Sequence, residues 1–384
     1  MQRTANPWMP VRFRPWPPIF YKMINQITIS NFRNHVCSRI RTNGCKNVVI
    51  TGLNGAGKTA ILEAVSLLSG ERGLRGADIQ NLPKFDGDGG FSVFATTNDD
   101  TDLCVYLNSG EVNRRAKIDN DNAPLSDLAK HLRIIWLTPK EDRIFIEAAA
   151  DRRAFFDRLA ASFEPAHLGR LTRLNKLMSE RGGAIKAGAD KNWLDVIDKQ
   201  IAATAVAVAA ERIRYAAELN YFFENGAVSV NGMVEKLVIE NTITNAENIY
   251  FEYLQNNREL TGDKMVIDGV HKSDFGVFNK NLNLPAYITS TGQQKAILID
   301  LILAHTKLVH VRTNQKILIL LDEAIAHLDE FARTKLFQDL NDADAQVWAT
   351  GLDEQAFKNI PDTVFVTCKN GSISNIVIPE KTNA

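Results

Sequence analysis

Hydrophobic and polar positions along the chain predict a strand, a turn and a helix near its start. The segment INQITISNF (24–32) alternates apolar and polar residues, which is typical of a strand with one buried face. The segment NVVIT (47–51) is continuously apolar, as in a strand covered on both faces. TAILEAVSLLSG (59–70) follows closely and predicts a helix that ends at Gly70.

Further strands are predicted on both sides of a helical middle. Three short segments at 91–96, 102–107 and 114–119, separated by turn residues, indicate an antiparallel meander. Buried strands are predicted at 133–138, 316–321 and 345–350, and helices at 296–309 and 329–340. Residues 363–378 predict a hairpin over Asn370-Gly371, a preferred type I′ pair.

The middle of the chain has a different character. Residues 152–181 and 193–224 lack strand signals and predict helices, with a glycine-rich hairpin at 181–191 between them. A helix over 193–224 would be about 48 Å long. Sustained heptads are missing, so a compact helical lobe is expected rather than a coiled-coil arm. Residues 226–288 carry mixed signals.

Composition and charge exclude several classes of protein. The 384 residues contain 45 Lys and Arg against 45 Asp and Glu, so any contact with nucleic acid must come from a local basic patch. The four cysteines are scattered and the histidines show no metal-ligand spacing, which is typical of the reducing cytoplasm. No run of 18 apolar residues is present, so neither a spanning helix nor a membrane role is expected.

Composition shifts also predict the domain boundaries. Residues 1–22 contain five prolines and no acidic residue, and are interpreted as a disordered extension or a misassigned start. Residues 23–150 are expected to form the first part of a nucleotide-binding lobe, and 151–272 a mainly helical second lobe that supports the segment after it. Residues 273–378 are expected to complete the core, leaving 379–384 as a tail.

The strand–turn–helix at the start carries a phosphate-binding loop. Gly52, Gly57, Lys58 and Thr59 fit the P-loop spacing, between a strand and a helix. Glycines let backbone N–H groups surround a polyphosphate, and the helix adds its N-terminal partial positive charge. Lys58 is expected to reach the β- and γ-phosphates of ATP, and the Thr59 hydroxyl to ligate Mg²⁺.

Two further segments carry candidate chemistry. Asp322 and Glu323 follow a buried strand, where one carboxylate can hold Mg²⁺ and the next can polarise an attacking water. STGQQK (290–295) stands directly before a helix. Ser, Thr and Gly at that position form a helix cap, and the same arrangement also provides an anion site.

Taken together, these motifs resemble those of the ABC-type ATPases, in the branch that handles DNA. Residues 52–59 match Walker A, 290–294 are similar to the signature motif, 317–323 match Walker B, and 326–329 resemble the D-loop. Thr350 stands where many relatives have a switch histidine. No glutamine follows RIIWLTPKEDR (133–143), so no Q-loop residue is assigned.

The closer resemblance is to the RecF family. It rests on ITISNFRNH (27–35), GERGLRGADIQNL (70–82) and WLTPKEDRIFIEAAADRRAFFDRL (136–159), together with 290–305 and 320–330. It covers residues 23 to 378. The fold it implies is an α/β ABC-type ATPase head, with a mixed sheet around the P-loop, an antiparallel β meander and an inserted compact helical lobe.

The resemblance implies roles for individual residues. Each ATP is closed between the P-loop of one subunit and the signature motif of another, so the chain is expected to form an ATP-dependent homodimer with Asp329 at its seam. Glu323 is the expected catalytic base, with Lys58 also catalytic, while Thr59 and Asp322 serve Mg²⁺. The residues expected to contact the nucleotide are Arg33, Asn34, Gly52, Asn54, Gly55, Ala56, Gly57, Lys58, Thr59, Ala60, Ser290, Gly292 and Gln293.

The implied function is a slow ATP-gated clamp on duplex DNA near gaps and single/double-strand junctions. The implied partners are RecR and RecO, and indirectly the RecA filament. Arg72 and Arg75 match the family and are candidates for phosphate contacts, with Lys46 and the pair Arg152-Arg153 as weaker ones. The alternatives are an SMC-like or transporter-energising ATPase subunit and a P-loop protein whose nucleotide is purely structural.

Overall fold

The computed structural model describes residues 22–258, 267–323 and 328–378, which fold into three β-sheets and nine α-helices. In chain order, the strands are β1 Ile24–Phe32, β2 His35–Arg41, β3 Asn47–Thr51, β4 Phe91–Thr97, β5 Asp102–Leu107, β6 Arg115–Ile118, β7 Asp121–Ala123, β8 Arg133–Leu137, β9 Gly226–Asn231, β10 Asp274–Asn279, β11 Leu284–Pro285, β12 Ile317–Leu321, β13 Gln346–Gly351, β14 Thr363–Lys369 and β15 Ser372–Val377. The helices are α1 Lys58–Ser66, α2 Leu128–His131, α3 Ala149–Phe163, α4 Ala166–Lys186, α5 Lys191–Phe222, α6 Met233–Glu240, α7 Ile243–Asn256, α8 Thr291–Thr313 and α9 Glu330–Asp342.

The central sheet positions the candidate chemistry. Its strand order is β15-β14-β3-β13-β12-β8, and all but β15 run parallel. The strands β3, β12 and β8 are buried at every position, as their continuous apolar sequences predict. Because β13 lies between β3 and β12, the P-loop after β3 and the carboxylates after β12 meet at one edge of this sheet.

A six-stranded antiparallel sheet in the order β2-β1-β4-β5-β6-β7 packs beside the central one. Its inward residues, such as Ile27, Val93 and Val105, share a core with α1 and with Val48 and Leu320 of the central sheet. The alternating burial along β4 and β5 confirms the predicted meander. Strand β2 was not predicted, although HVCSRIR alternates in the same way.

The helical middle forms a layer of its own. Helix α5 packs against α4, α6 and α7 around a core that includes Ile201 and Tyr250. Its other end joins α3 and α8 over the central sheet, where Phe156, Tyr215 and Leu301 are buried together. The predicted helix at 193–224 is confirmed as α5, which has 32 residues. In the mixed region 226–288, the structure adds α6, α7 and a small antiparallel sheet in the order β11-β10-β9.

The connection between the first two long helices corrects the prediction. The helical stretch predicted at 152–181 consists of two helices, because Pro165 lies between the end of α3 and the start of α4. The expected hairpin at 181–191 is present but shorter than predicted, since α4 continues through Gly182 and Gly183 to Lys186 and α5 begins at Lys191. A helical glycine costs only about 1 kcal/mol. The buried ion pair of Arg181 with Asp198, at 2.6 Å, holds this turn of α4 against α5.

Some expectations fall on residues outside the described ranges. These are residues 1–21, the tail at 379–384, and Ala326 and His327 of the predicted D-loop. The domain boundaries therefore stay a prediction. None of the helices in the described ranges is long and apolar enough to cross a bilayer.

Candidate functional site

The loop between β3 and α1 has the backbone of a phosphate cradle. Gly52, Gly55 and Gly57 have φ values of 147°, 80° and 110°, which side chains rarely adopt. A Cβ on Gly52 would lie 2.3 Å from the carbonyl oxygen of Cys368, and one on Gly57 would lie 2.5 Å from His35 Nε2. Glycine is therefore required at both positions by conformation and by space.

Lys58, the first residue of α1, points its amine back into this loop. Its side chain is buried, and Nζ donates hydrogen bonds to the carbonyl oxygens of Gly52 at 2.8 Å and Leu53 at 3.1 Å. No carboxylate in the described ranges lies within ion-pairing distance of this amine. A buried cation held only by carbonyl dipoles favours an anion, so the loop fits a polyphosphate.

Threonine hydroxyls bracket the carboxylate that follows β12. Thr59 Oγ1 and Thr350 Oγ1 each donate to Asp322 Oδ1 at 2.9 Å. Thr350 Oγ1 also accepts a hydrogen bond from the backbone N–H of Glu323 at 3.0 Å. The neighbouring strand β13 thus orients both acidic residues, and the position expected for a switch histidine carries a positioning hydroxyl.

Oxygen donors of this kind fit Mg²⁺. A hydroxyl from Thr59 and a carboxylate from Asp322 are the hard ligands that Mg²⁺ takes from proteins, with phosphates and waters completing its shell. The described ranges hold no cluster of three or more His, Cys, Asp or Glu side chains that could bind a metal without such help. The donor set therefore suits a metal that arrives with a nucleotide.

A cleft of about 1300 Å³ opens in front of this constellation. Its lining includes the following predicted site residues: Arg33, Asn34, Asn54, Gly55, Gly57, Lys58, Thr59, Ala60 and Glu323. Gly52, Ala56 and Asp322 do not line the cleft. Glu323 has a φ of 53°, and this backbone turn places the residue after Asp322 at the cleft.

The cleft carries two further features that the sequence reasoning missed. Phe85 lines the cleft with its side chain fully exposed. Glu111 lines it as well; its Oε1 atom accepts a hydrogen bond from Arg115 at 2.6 Å, whereas its Oε2 atom is buried with no hydrogen-bond partner among the described residues. A flat apolar ring and an unpaired acceptor are the groups that receive a nucleotide base or ribose.

A second group of residues that the sequence reasoning missed contacts the P-loop and supports it. Cys368 Sγ donates to the carbonyl oxygen of Ala56 at 3.0 Å, and the Gly371 N–H donates to the same oxygen at 2.8 Å. His35 lies at 3.0 Å from the Gly57 carbonyl oxygen, and burial lowers the pKa of its imidazole. These contacts come from β2 and the β14–β15 hairpin, which are distant in sequence, so no local motif could have revealed them.

The signature segment lies elsewhere on the surface. Ser290 caps α8 by a capping box with Gln293, and Ser290, Gly292 and Gln293 are exposed. None of these three residues lines the cleft. Asp329 caps α9, accepting a hydrogen bond from the Ala332 N–H at 2.8 Å. The structure therefore separates the two sets of residues predicted to contact one nucleotide.

The basic residues predicted to contact DNA phosphates differ in whether their side chains already have partners in the structure. Arg152 is engaged with Asp274 through two hydrogen bonds, and Arg153 donates to the Ser273 carbonyl oxygen. Lys46 donates to the Asn341 carbonyl oxygen at 3.1 Å. Arg75 lines the nucleotide cleft. Because their side chains are already hydrogen-bonded, Arg152, Arg153 and Lys46 are disfavoured as ligands of DNA phosphates.

Comparison with known proteins agrees with this geometry. The family described as the RecF/RecN/SMC N terminal domain matches residues 23–375. The "DNA replication and repair protein RecF" of Rhizobium leguminosarum bv. trifolii is 33% identical over 368 residues, covering 91% of this chain and 98% of that protein. The chain belongs to the RecF family. A RecF of Allorhizobium ampelinum is 35% identical over 370 residues, with 91% and 98% covered.

Solved structures give the same fold. A structure described as the recombination mediator protein RecF–ATP in the RecFOR pathway aligns with a TM-score of 0.76 at 20% identity, over 93% of this chain and 99% of that one. An Smc head bound to the C-winged helix domain of ScpA aligns with a TM-score of 0.54 at 13% identity, over 93% and 98%. The predicted ABC-type ATPase head is confirmed for this RecF-family chain.

Proposed function

We propose that the chain is an ATP-dependent DNA clamp that acts in recombinational repair and at replication forks. The observation that carries this proposal is the separation of the P-loop cleft from the exposed signature residues 290–293. A nucleotide in the cleft of one copy leaves its outer side open to the signature of a second copy. Two copies with two ATP molecules complete both sites.

The chemistry of the residues that line the cleft suits one orientation of the nucleotide. Lys58 and the N–H groups of the glycine loop hold the β- and γ-phosphates, with Thr59 and Asp322 on the Mg²⁺ side. The base then lies toward Phe85, which stacks on it, and Glu111 Oε2 accepts a hydrogen bond from a donor on the base or ribose. Arg33 and Asn34 also line the cleft.

Hydrolysis of ATP in this site switches the dimer from a closed to an open state. Glu323 takes a proton from the attacking water, while Asp322 stays fixed between the hydroxyls of Thr59 and Thr350. In the dimer, Ser290, Gly292 and Gln293 of the second copy meet the γ-phosphate, and Asp329 lies at the seam. Loss of the γ-phosphate removes those contacts and favours opening, so slow turnover sets the time for which the clamp stays closed.

The DNA-related part of the proposal is supported by the relatives. Both RecF relatives described above are named DNA replication and repair proteins, and one aligned structure is described as a recombination mediator in the RecFOR pathway. We therefore assign duplex and gapped DNA as the ligand, with preference for single/double-strand junctions. RecR and RecO are the proposed partners, the RecA filament is the indirect beneficiary, and the cytoplasm is the proposed compartment.

Sedimentation of the purified chain tests the proposal. We expect ATP with Mg²⁺ to convert monomers to dimers, and a gapped duplex to co-sediment with the dimer. Lys58→Ala removes the cation of the cradle and is expected to abolish nucleotide binding and dimerisation. If the chain binds ATP but stays monomeric with and without DNA, the clamp proposal is contradicted, and the nucleotide has a purely structural role. Dimerisation without DNA retention would instead favour a different ABC-type system.

A further inference from the structure

The outward face of the antiparallel sheet is unusually rich in cations and aromatic rings. Its inward side chains form the core described above, and the alternate positions point away from it. The strand pairing fixes which outward residues are neighbours. One transverse row runs Arg39, Thr28, Phe94, Cys104, Lys117 and Asn122 across β2, β1, β4, β5, β6 and β7.

This first row places a cation on each side of an aromatic ring. Arg39 and Lys117 lie four strands apart, about 19 Å at the usual spacing of strands. Phe94 lies between them, and the remaining members of the row are uncharged. Arg39 is exposed, and among the described residues its Nε donates a hydrogen bond to the hydroxyl of Thr28, at 3.3 Å.

The second row on the same face is Cys37, Ser30, Ser92, Tyr106 and Arg115. It places a cation on one side of its aromatic ring, and this cation, Arg115, is ion-paired with Glu111 at 2.6 Å. Tyr106 is the diagonal neighbour of Phe94, and such neighbours lie about 7–8 Å apart. The ammonium group of Lys117 lies 5.8 Å from the centre of the Tyr106 ring. An aromatic ring and a cation therefore stand next to each other, as a base and its phosphate require.

The third row, Arg41, Gln26, Thr96 and Asp102, supplies a further cation and one carboxylate. Arg41 Nε donates to the amide oxygen of Gln26 at 2.8 Å, a neutral partner. Asp102 accepts a hydrogen bond from Thr96 at 2.9 Å. Apart from the ion-paired Arg115, the strand positions of the three rows thus hold three cations and two aromatic rings against a single acid, although the whole chain is electrically neutral.

We propose that the outward face of this sheet binds single-stranded nucleic acid, with bases stacked on Phe94 and Tyr106 and phosphates held by Arg39, Arg41 and Lys117. A single strand is favoured over duplex because only unpaired bases can stack on rings that lie on a flat sheet. This inference rests on the proposed function for the choice of DNA as the natural ligand. It names a surface distinct from the clamp's ATP site.

Edge protection is the competing explanation for part of this surface. Charged residues on an edge strand prevent pairing with other sheets, and Arg39 and Arg41 lie on the edge strand β2. Edge protection does not account for Phe94, Tyr106 or Lys117, because these residues lie on the inner strands β4, β5 and β6. The two accounts therefore differ in what the aromatic rings do.

Fluorescence anisotropy with a labelled oligo-dT, without ATP, tests the proposal. We expect Phe94→Ala and Tyr106→Ala each to weaken binding about tenfold, while Tyr106→Phe keeps the ring and binds normally. The double variant R39Q/R41Q is expected to reduce the slope of log affinity against log salt by about 1.4, since each phosphate contact on a single strand contributes about 0.7. An oligo-rU arm distinguishes DNA from RNA as the preferred strand.

A matched control removes two cations elsewhere. Arg173 on α4 and Lys199 on α5 are exposed, and R173Q/K199Q makes the same change in net charge. This control is expected to leave the affinity and the salt slope unchanged. Thermal unfolding of every variant verifies that the face variants remain folded. Equal losses in the control and in R39Q/R41Q would overturn the proposal in favour of non-specific attraction.

The chain also carries a reporter on this face. Cys37 is exposed in the second row, whereas Cys45 and Cys368 are buried. In a Cys104→Ser background, oligo-dT is expected to slow modification of Cys37 by a thiol reagent, and the matching duplex is not. Unchanged modification at saturating oligonucleotide would overturn the proposal. Lys58→Ala is expected to keep oligo-dT binding although it abolishes ATP-dependent dimerisation. Failure of the single-strand proposal and failure of the ATP-driven clamp therefore give different results.

Discussion

Arg33 grips the fully buried carboxylate of Glu63 with two hydrogen bonds, from Nε at 2.8 Å and from Nη2 at 2.6 Å. The third contact, from Nη1, goes to the carbonyl oxygen of Asn81 at 2.6 Å. Glu63 lies on α1, the helix that begins with Lys58, so this ion pair joins the P-loop helix to the turn between β1 and β2, where Arg33 lines the cleft. Arg75, also at the cleft, reaches Glu63 at 4.0 Å.

Glu63→Gln tests whether this carboxylate positions Arg33 for nucleotide binding. The amide keeps the size of the side chain but loses the charge that two arginines face. We expect the free energy of unfolding to fall by about 2 kcal/mol, and ATP affinity to fall about tenfold. Denaturant unfolding and nucleotide titration measure the two effects. Glu252→Gln, an exposed carboxylate on α7, is the matched control and is expected to change neither.

Thr350→Val tests the hydroxyl that stands at the switch-histidine position. Valine preserves the shape but leaves Asp322 without one donor and the Glu323 N–H without its acceptor. We expect ATP turnover to fall about 10- to 100-fold, as for other residues that orient a metal ligand, with ATP affinity less affected. Thr350→Ser restores the hydroxyl and is expected to recover activity. A Val variant as fast as the Ser variant would contradict the positioning role.

These residues show which parts of the site a sequence can predict. Gly52, Lys58 and Thr59 lie in one continuous loop, and Asp322 follows an apolar strand, so spacing and burial pattern identify them. Glu63 reads in sequence as a polar position on a helix, and its burial depends on Arg33, 30 residues earlier. Thr350 depends on β13 lying between β3 and β12, a strand order that no local pattern specifies.

The elements of the fold also divide into those that the local sequence predicts and those that depend on distant contacts. Long apolar strands such as β3 and β12, and the stripe along α5, carry a period that local sequence reveals. The glycines of α4 misled the prediction because a tertiary ion pair, Arg181 with Asp198, overrides weak local propensity. Short elements such as β11 are paired by distant chain segments, and their few residues carry too little periodicity to identify them.

Phe85→Ala tests the base end of the cleft. Because its ring is fully exposed beside the cleft, its removal costs little stability. We expect the affinity for ATP to fall about tenfold, through lost stacking, while the affinity for inorganic tripolyphosphate is unchanged. Phe85→Trp is expected to restore ATP binding. Tyr221→Ala, an exposed aromatic residue on α5, serves as the control. Equal losses for ATP and tripolyphosphate would show that the loop acts on the phosphates instead.

Glu323→Gln tests the assignment of the catalytic base. The amide cannot take a proton from water, so we expect turnover to fall about 10²- to 10⁴-fold. ATP binding and ATP-dependent dimerisation are expected to persist, since Lys58, Thr59 and Asp322 are intact. Single-turnover hydrolysis and sedimentation separate the two effects. Rapid hydrolysis by this variant would remove Glu323 from that role and direct attention to another acid.

His305 predicts how stability depends on pH. It lies on α8, the helix that follows the signature residues, and its ring nitrogens lie 2.8 Å from Ser162 Oγ on α3 and 2.9 Å from Tyr215 Oη on α5. Complete burial, reinforced by the charge of Arg133, lowers the pKa of His305 to about 3. Below about pH 6.5 the unfolded chain therefore takes up a proton that the folded chain refuses, and folding weakens by about 1.4 kcal/mol per pH unit toward pH 3.

His305→Gln isolates this contribution, because the other histidines are common to both proteins. Glutamine can still bond to Ser162 and Tyr215, so the variant is expected to fold at pH 8, where the wild-type imidazole is neutral in both states. Urea unfolding between pH 4.5 and 8 measures the free energy of unfolding of each protein. We expect the difference between wild type and variant to be constant above pH 7 and to shift in favour of the variant as the pH falls below 6.5. A difference independent of pH would mean that the folded chain accepts the proton at His305, and that α8 is not held by a neutral imidazole.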